Sequence, residues 1–197
     1  MRVGIPNYEE LVKITKQLTK HKINYWLDAG TLLGIYRNQS LLSYDSDIDL
    51  GIYLDKFNFN KLNKCMHLIS YSHILKKSHV DKIKFIKEFY KIDFFLFHKQ
   101  DNYYYHEAWN GFFVFRQSCL DTLKKYKCNN DDFYIPNNPE LYLEDLYGTD
   151  WKIPKIKMAK PQGYHNFIIH TSITLKTHQL TPERIQYAQK MGWIKNI

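Results

Sequence analysis

Long apolar runs, cysteine pairs and arginine are all scarce in this 197-residue chain, and each scarcity excludes something. No stretch approaches the roughly 18 uncharged apolar residues of a membrane-spanning helix, so none is expected. The opening segment, MRVGIPNYEELVKITK, lacks the apolar core of a secretory signal and reads as the approach to a helix. Cys65, Cys119 and Cys128 are too widely spaced for a CxxC metal knuckle, and their odd number argues against a disulfide framework. They read as reduced thiols of a cytoplasmic protein. Only four arginines (Arg2, Arg37, Arg116 and Arg184) stand among 28 basic residues. Base readout and two-pronged phosphate clamps favour arginine, so this composition argues against nucleic acid as a partner despite a net charge of +8. A lysine-rich surface still attracts anionic substrates, and it is compatible with peripheral association at a membrane face.

What is present is globular. The chain is 44% hydrophobic and 16% aromatic, enough for one domain with a proper core. Apolar residues at Leu11, Val12, Ile14 and Leu18 predict an amphipathic helix over 8–21, capped near Asn7. A short strand over 23–27, a helix over 31–37, a strand over 47–53 and a helix over 57–69 follow. Residues 72–115 turn strand-like, with Asn110-Gly111 as a hairpin signal between aromatic runs. The last third is richer in turn residues. Within it, helices are expected over 139–147, with Pro139 near the start, and over 182–191 after a Thr181 cap. The reading is an α/β fold with a mixed sheet, in one domain over 1–197: a core at about 20–115 and a C-terminal helical and loop extension at about 116–197.

The most informative segment is 26–55, WLDAGTLLGIYRNQSLLSYDSDIDLGIYLD. Asp45, Asp47 and Asp49 alternate, so in extended backbone their side chains leave one face while Ile48 and Leu50 enter the core. Carboxylates that close repel unless a cation sits among them, and hard oxygen ligands suit Mg2+ or Mn2+. A calcium loop is excluded, because its glycine would fall at Leu50 and its bidentate glutamate at Lys56. Asp93, inside the apolar strand YKIDFFLFH, is costly there unless paired or metal-bound. A neighbouring strand would bring it beside Asp47 and Asp49. His98 and His106 lack a metal-spaced partner and read as ordinary strand residues.

The small-residue turn at Gly30-Thr31, the hDhDh segment and the later hDh strand resemble the nucleotidyltransferase superfamily. More narrowly, GTLLGxxR followed by YDxDIDLGI resembles the LicD-type phosphocholine transferases and the fukutin and fukutin-related proteins. Those families typically carry Ile-Pro-Trp before the first aspartate. Here Leu41-Leu42-Ser43-Tyr44 stands in its place, so the proline is missing and tyrosine replaces tryptophan. A second match, IPNNPELYLEDLYGTDWKIP, is similar to the family's closing pattern through Pro136, Leu143, Glu144, Tyr147, Gly148, Trp151 and Pro154.

The resemblance implies a nucleotidyltransferase-like fold and a metal-dependent phosphotransferase. It would move a phospho-alcohol (phosphocholine, ribitol phosphate or glycerol phosphate) from a CDP-activated donor to a glycan or glycolipid hydroxyl, releasing CMP. Asp47, Asp49 and Asp93 are then the catalytic carboxylates and ligands of Mg2+ or Mn2+, with Asp93 either a ligand or the base. Gly30 and Thr31 would hold a phosphate, Arg37 would face the diphosphate, Asp45 would support the metal site, and Tyr147 and Trp151 would border the donor pocket. Two other functions stay open: nucleotidyl transfer to a small molecule or RNA, and an inactive binding module of the same fold.

Overall fold

A computed structural model describes residues 7–74, 82–108, 111–154 and 167–169. Helix α1 (Tyr8–Lys20) starts where the Asn7 side chain accepts a hydrogen bond from the Glu10 N–H. Its first turn holds Glu9 and Glu10 and its last turn Lys20, matching the helix dipole. Leu11, Ile14 and Leu18 form its buried stripe.

Strand β1 (Trp26–Leu27) leads into α2 (Ala29–Asn38), β2 (Ile48–Tyr53), a 3-10 turn (Leu54–Lys56) and α3 (Phe59–His67). Next come β3 (Ser72–Ile74), β4 (Lys82–Lys87), β5 (Tyr90–Gln100), β6 (Tyr103–Ala108) and β7 (Gly111–Arg116). After them lie α4 (Gln117–Leu120), β8 (Leu123–Cys128), β9 (Asp131–Pro136), α5 (Pro139–Tyr147) and β10 (Phe167–Ile169). The expected α/β class with a mixed sheet is what the chain adopts. Among the described residues, no helix is long and apolar enough to cross a membrane.

The main sheet runs β1-β2-β5-β6-β7-β10, with β3-β4 joined to β5. β2 and β5 are parallel and every other pair in it is antiparallel. Side chains therefore alternate between two environments along β2. Ile48, Leu50 and Ile52 are buried in one core with Leu11, Ile14, Leu18, Leu62 and Met66 of the helices. The opposite face carries Asp49, Gly51 and Tyr53. There Trp26 packs against Tyr53 and Phe97, with ring centroids 4.8 Å away in each case.

Trp26 is the register partner of Gly51 and lies across it, so a Cβ at residue 51 would land on the indole. Gly51→Ala is expected to overpack this site by about 1–3 kcal/mol. Thermal unfolding of that variant checks it.

Some boundaries depart from the sequence reading. The first strand is shorter than 23–27. The third helix starts after the 3-10 turn rather than at residue 57. β6 and β7 pair as the Asn110-Gly111 signal requires, although residues 109–110 between them lie outside the described residues. The hairpin β8–β9 is a correction to the loop-and-helix reading of the C-terminal third. Its Phe133 and Ile135 share the core with Tyr142 and Leu143 of α5. The helix expected over 182–191 lies outside the described residues.

Candidate functional site

Helix α2 begins at the site. The Asp28 carboxylate caps it, accepting from the Ala29 N–H at 2.7 Å and from the Tyr142 hydroxyl at 2.5 Å. Burial pushes this carboxyl up to about 6, against the two hydrogen bonds that hold it ionised. Ala29 takes a positive φ of 40°, a strained backbone at the cavity wall. The Thr31 hydroxyl accepts from the Asp49 N–H at 2.9 Å, and the Asp28 N–H donates to the Asp49 carbonyl at 3.1 Å. The start of α2 is thereby locked to β2. At Gly30 a Cβ would collide with the Asp45 carboxylate, with an Asp49 oxygen 3.7 Å away. Glycine is what lets the acids approach the helix N-terminus, whose backbone favours anions.

Asp45, Asp47 and Asp49 each offer a carboxylate oxygen, all within 4.8 Å of one another. Of the three only Asp49 lies in regular strand; Asp45 and Asp47 belong to the loop that delivers it. The convergence expected from alternation is present even where the strand is not. Asp49 is the parallel register partner of Asp93 on β5, so both project from one face of the sheet. Asp93 is fully buried and paired with two ammoniums of β4: that of Lys82, and that of Lys84 at 3.2 Å. Beyond these two ion pairs, neither Asp93 oxygen has a hydrogen-bond partner among the described residues.

The electrostatics follow from this crowding. Burial first, then Asp47, pushes the Asp45 carboxyl up to about 7. Asp49 is held well above the usual carboxylate range by burial and then by Asp47, Asp45 and Asp93, with Lys82 opposing. Burial also raises Asp93, against Lys82 and Lys84. A carboxyl whose folded pKa exceeds its unfolded one adds stability at low pH, and that stability is lost as pH rises through the folded value. The metal-free protein is therefore expected to lose about 1–2 kcal/mol from this site between pH 5 and pH 8. Melting temperatures in chelator across that range check it; Mg2+ should remove the slope, and Asp45→Asn should flatten it.

Asp45, Asp47 and Asp49 line a cavity of about 500 Å³ together with Asp28, Ala29, Gly30, Leu42, Tyr44, Ser46, Lys82, Phe95, His106, Phe113, Phe115, Leu146 and Tyr147. Three carboxylates on one wall, hard oxygen donors throughout, fit a divalent cation such as Mg2+ or Mn2+, with Asp93 on the next strand outside that converging group.

Of the residues expected from sequence, Asp45, Asp47, Asp49, Gly30 and Tyr147 line the cavity. Asp93 does not line it; it sits level with Asp49 on the neighbouring strand, paired with Lys82. Thr31 is buried, and its hydroxyl holds β2. Arg37 does not line the cavity. Eight residues beyond Ala29, it is roughly 12 Å along α2, where it donates to the Trp151 carbonyl at 3.1 Å. Trp151 itself is buried near Tyr36, with ring centroids 6.1 Å apart. Arg37 and Trp151 thus tie the far end of α2 to the segment after α5.

His98 stacks on its strand partner Tyr105, as expected of an ordinary strand residue. His106 differs: it is buried against Phe95 and Phe97 and borders the cavity. Asp28 and Lys82 were likewise absent from the sequence-derived site. For Asp28 the available signal was its position before a helix; for Lys82 it was the alternation of lysines in KIKFIK.

Residues 22–138 match the family LicD/FKTN/FKRP, nucleotidyltransferase domain. An uncharacterized protein of Rickettsia typhi is 33% identical over 194 residues, which is 95% of this chain and 60% of that protein. The ribitol-5-phosphate transferase FKTN of Homo sapiens is 27% identical over 163 residues, 74% of this chain and 33% of FKTN. The chain thus spans well under the full length of these relatives. Among solved structures, the lincosamide antibiotic adenylyltransferase LnuA superposes with a TM-score of 0.50 at 16% identity, covering 70% of this chain and 83% of LnuA. ANT(2")-Ia, in complex with adenylyl-2"-tobramycin, gives 0.50 at 14%, covering 77% and 80%. At such identities the two structures bear on the fold, which is that of a nucleotidyltransferase. With more than half of its length matched, the chain belongs to the LicD/FKTN/FKRP family and carries that family's nucleotidyltransferase domain.

Proposed function

We propose that the protein is a metal-dependent phosphotransferase that moves a phospho-alcohol from a CDP-activated donor to a hydroxyl of a glycan or glycolipid. The observation that carries this reading is the in-register placement of Asp49 and Asp93 on adjacent strands, with Asp45 and Asp47 beside Asp49 at a cavity large enough for a nucleoside diphosphate. Family membership supports the reaction class.

Asp47 and Asp49 would hold Mg2+ or Mn2+, with Asp45 completing the carboxylate wall and Asp93 a further ligand or the proton acceptor. When bound, the cation would neutralise charge building on the diphosphate oxygens. The chain's own groups do the rest. Gly30 leaves room for the Asp45 carboxylate against the N-terminus of α2, and the cap at Asp28 fixes that helix end. The acceptor oxygen bonds to the phosphorus carrying the alcohol, and the bond from that phosphorus to the CMP oxygen breaks. CMP leaves, and the acceptor proton passes to Asp93 or to solvent. Holding the two partners in line contributes more than any covalent step. Tyr44 and Tyr147 line the cavity, where a base or acceptor ring would pack.

The test is incubation with Mg2+ or Mn2+ and, separately, CDP-choline, CDP-ribitol, CDP-glycerol, CTP and ATP. Release of CMP from one CDP-alcohol is the expected result. Diphosphate released from a triphosphate would replace the reading with nucleotidyl transfer. Metal binding with no turnover of any donor would favour an inactive module.

A further inference from the structure

Across three strands, one face of the sheet carries a row of charge. Asp49 on β2 is level with Asp93 on β5, and Asp93 with Lys84 on β4. Lys82, two residues along, points from that same face of β4. The two lysines differ in what they reach. The side chain of Lys84 keeps 19% exposure and contacts Asp93 without lining the cavity. That of Lys82 keeps 23%, contacts Asp93, lies 4.8 Å from the centre of the Phe95 ring, and lines the cavity beside the three aspartates. With all four carboxyls ionised, Asp45, Asp47, Asp49 and Asp93 against these two ammoniums leave two uncancelled negative charges, the charge of one divalent ion.

Any divalent cation that recruits Asp93 competes with Lys82 for the same oxygens. A lysine is a compact charge on a flexible stem, so it can turn about its own side-chain bonds without moving the strand. The cavity it already lines is open to it, and there it would meet the anion that the cation also holds.

We infer that Lys82 is a two-position counter-ion: it neutralises Asp93 in the metal-free protein, and it grips the donor's diphosphate once a divalent cation takes Asp93. This rests on the phosphotransferase reading and adds a donor-binding residue to it. Metal and diphosphate then bind synergistically, because each removes the obstacle to the other. Lys84 stays on Asp93 in both states and keeps its charge balanced.

The experiment has two arms, with CDP and Mg2+ as probes. In the first, the unaltered protein is treated with an amine-reactive reagent and labelled lysines are counted by mass spectrometry. Lys82 should be protected without metal, several-fold more reactive with Mg2+ alone, and protected again with Mg2+ and CDP. Lys84 should stay protected throughout. In the second, calorimetric titration should show that Lys82→Gln binds Mg2+ at least as tightly as the parent, while CDP binding in Mg2+ weakens about ten- to a hundredfold. Lys82→Arg should recover most of the CDP affinity, and Lys84→Gln should change it less than about threefold.

Unchanged CDP affinity in Lys82→Gln, or Lys82 labelling that ignores both probes, would overturn the assignment and leave the phosphotransferase reading standing. Parallel loss of Mg2+ and CDP affinity in Lys82→Gln would make Lys82 a purely structural partner of Asp93, and would also overturn it. A parent protein that binds neither probe would overturn both readings.

Discussion

Asp49→Asn is expected to lower turnover of the proposed phosphotransfer by at least about a hundredfold while making the metal-free protein more stable. The first effect is the loss of a charge aimed at the reacting centre, and a hundredfold corresponds to about 2.7 kcal/mol of barrier. The second follows from the site's crowding. Burial raises the Asp49 carboxyl most, followed by Asp47, Asp45 and Asp93, and Lys82 opposes them. A neutral amide of nearly the same shape relieves that repulsion and can still lie against the locked start of α2. Rates with the responsive CDP-alcohol, set beside melting curves at pH 8 in chelator, check both halves. A variant with near-normal rates would remove Asp49 from the catalytic set.

Asp93→Ala should have the opposite sign in stability, although its carboxylate is level with that of Asp49. Asp93 is the shared anion of Lys82 and Lys84, and removing it leaves two ammoniums facing each other over a cavity. Breaking a buried pair from one side costs about 3–5 kcal/mol. Here the lysines keep some contact with water, which brings the expected cost to about 2–4 kcal/mol. Activity should fall as far as in Asp49→Asn, whether Asp93 serves as ligand or base. Denaturant unfolding of the two variants side by side tests the contrast. Equal stability changes of the same sign would mean that the lysines are not held by Asp93.

The legible part of the molecule was set by short-range patterns. The alternating aspartates fall together because their spacing suits extended backbone, and they do so even though Asp45 and Asp47 precede the strand. Asp93 could be placed because a lone acid in YKIDFFLFH has to face a partner or a cation. The GTLLG turn could be placed because a helix must begin there, with a residue that leaves room for the neighbouring carboxylate.

What stayed hidden depended on register or on distance along a helix. Lys82 and Lys84 reach Asp93 through the β4–β5 hairpin, whose turn pairs Lys87 with Tyr90 across Glu88 and Phe89. That turn holds no glycine or asparagine, so nothing in it announces a hairpin, although Glu88 adopts a positive φ of 51°. β8, with the sequence LKKYKC, is concealed by lysines that rarely favour strands. Its available signal was Asn129-Asn130, where Asn129 takes a φ of 52°. Arg37 matched a motif position, yet helical rise carries it to the opposite end of α2 from Gly30, where it serves the packing of Trp151.

The most direct measurement is a crystal structure of the protein soaked with Mn2+ and CDP, with the metal located by its anomalous scattering. The account predicts Mn2+ density bounded by carboxylate oxygens of Asp47 and Asp49 and reaching Asp93, with the diphosphate between that ion and the first turn of α2. Mn2+ found elsewhere, or a diphosphate bound away from Gly30 with Asp93 still closed on Lys82, would contradict it.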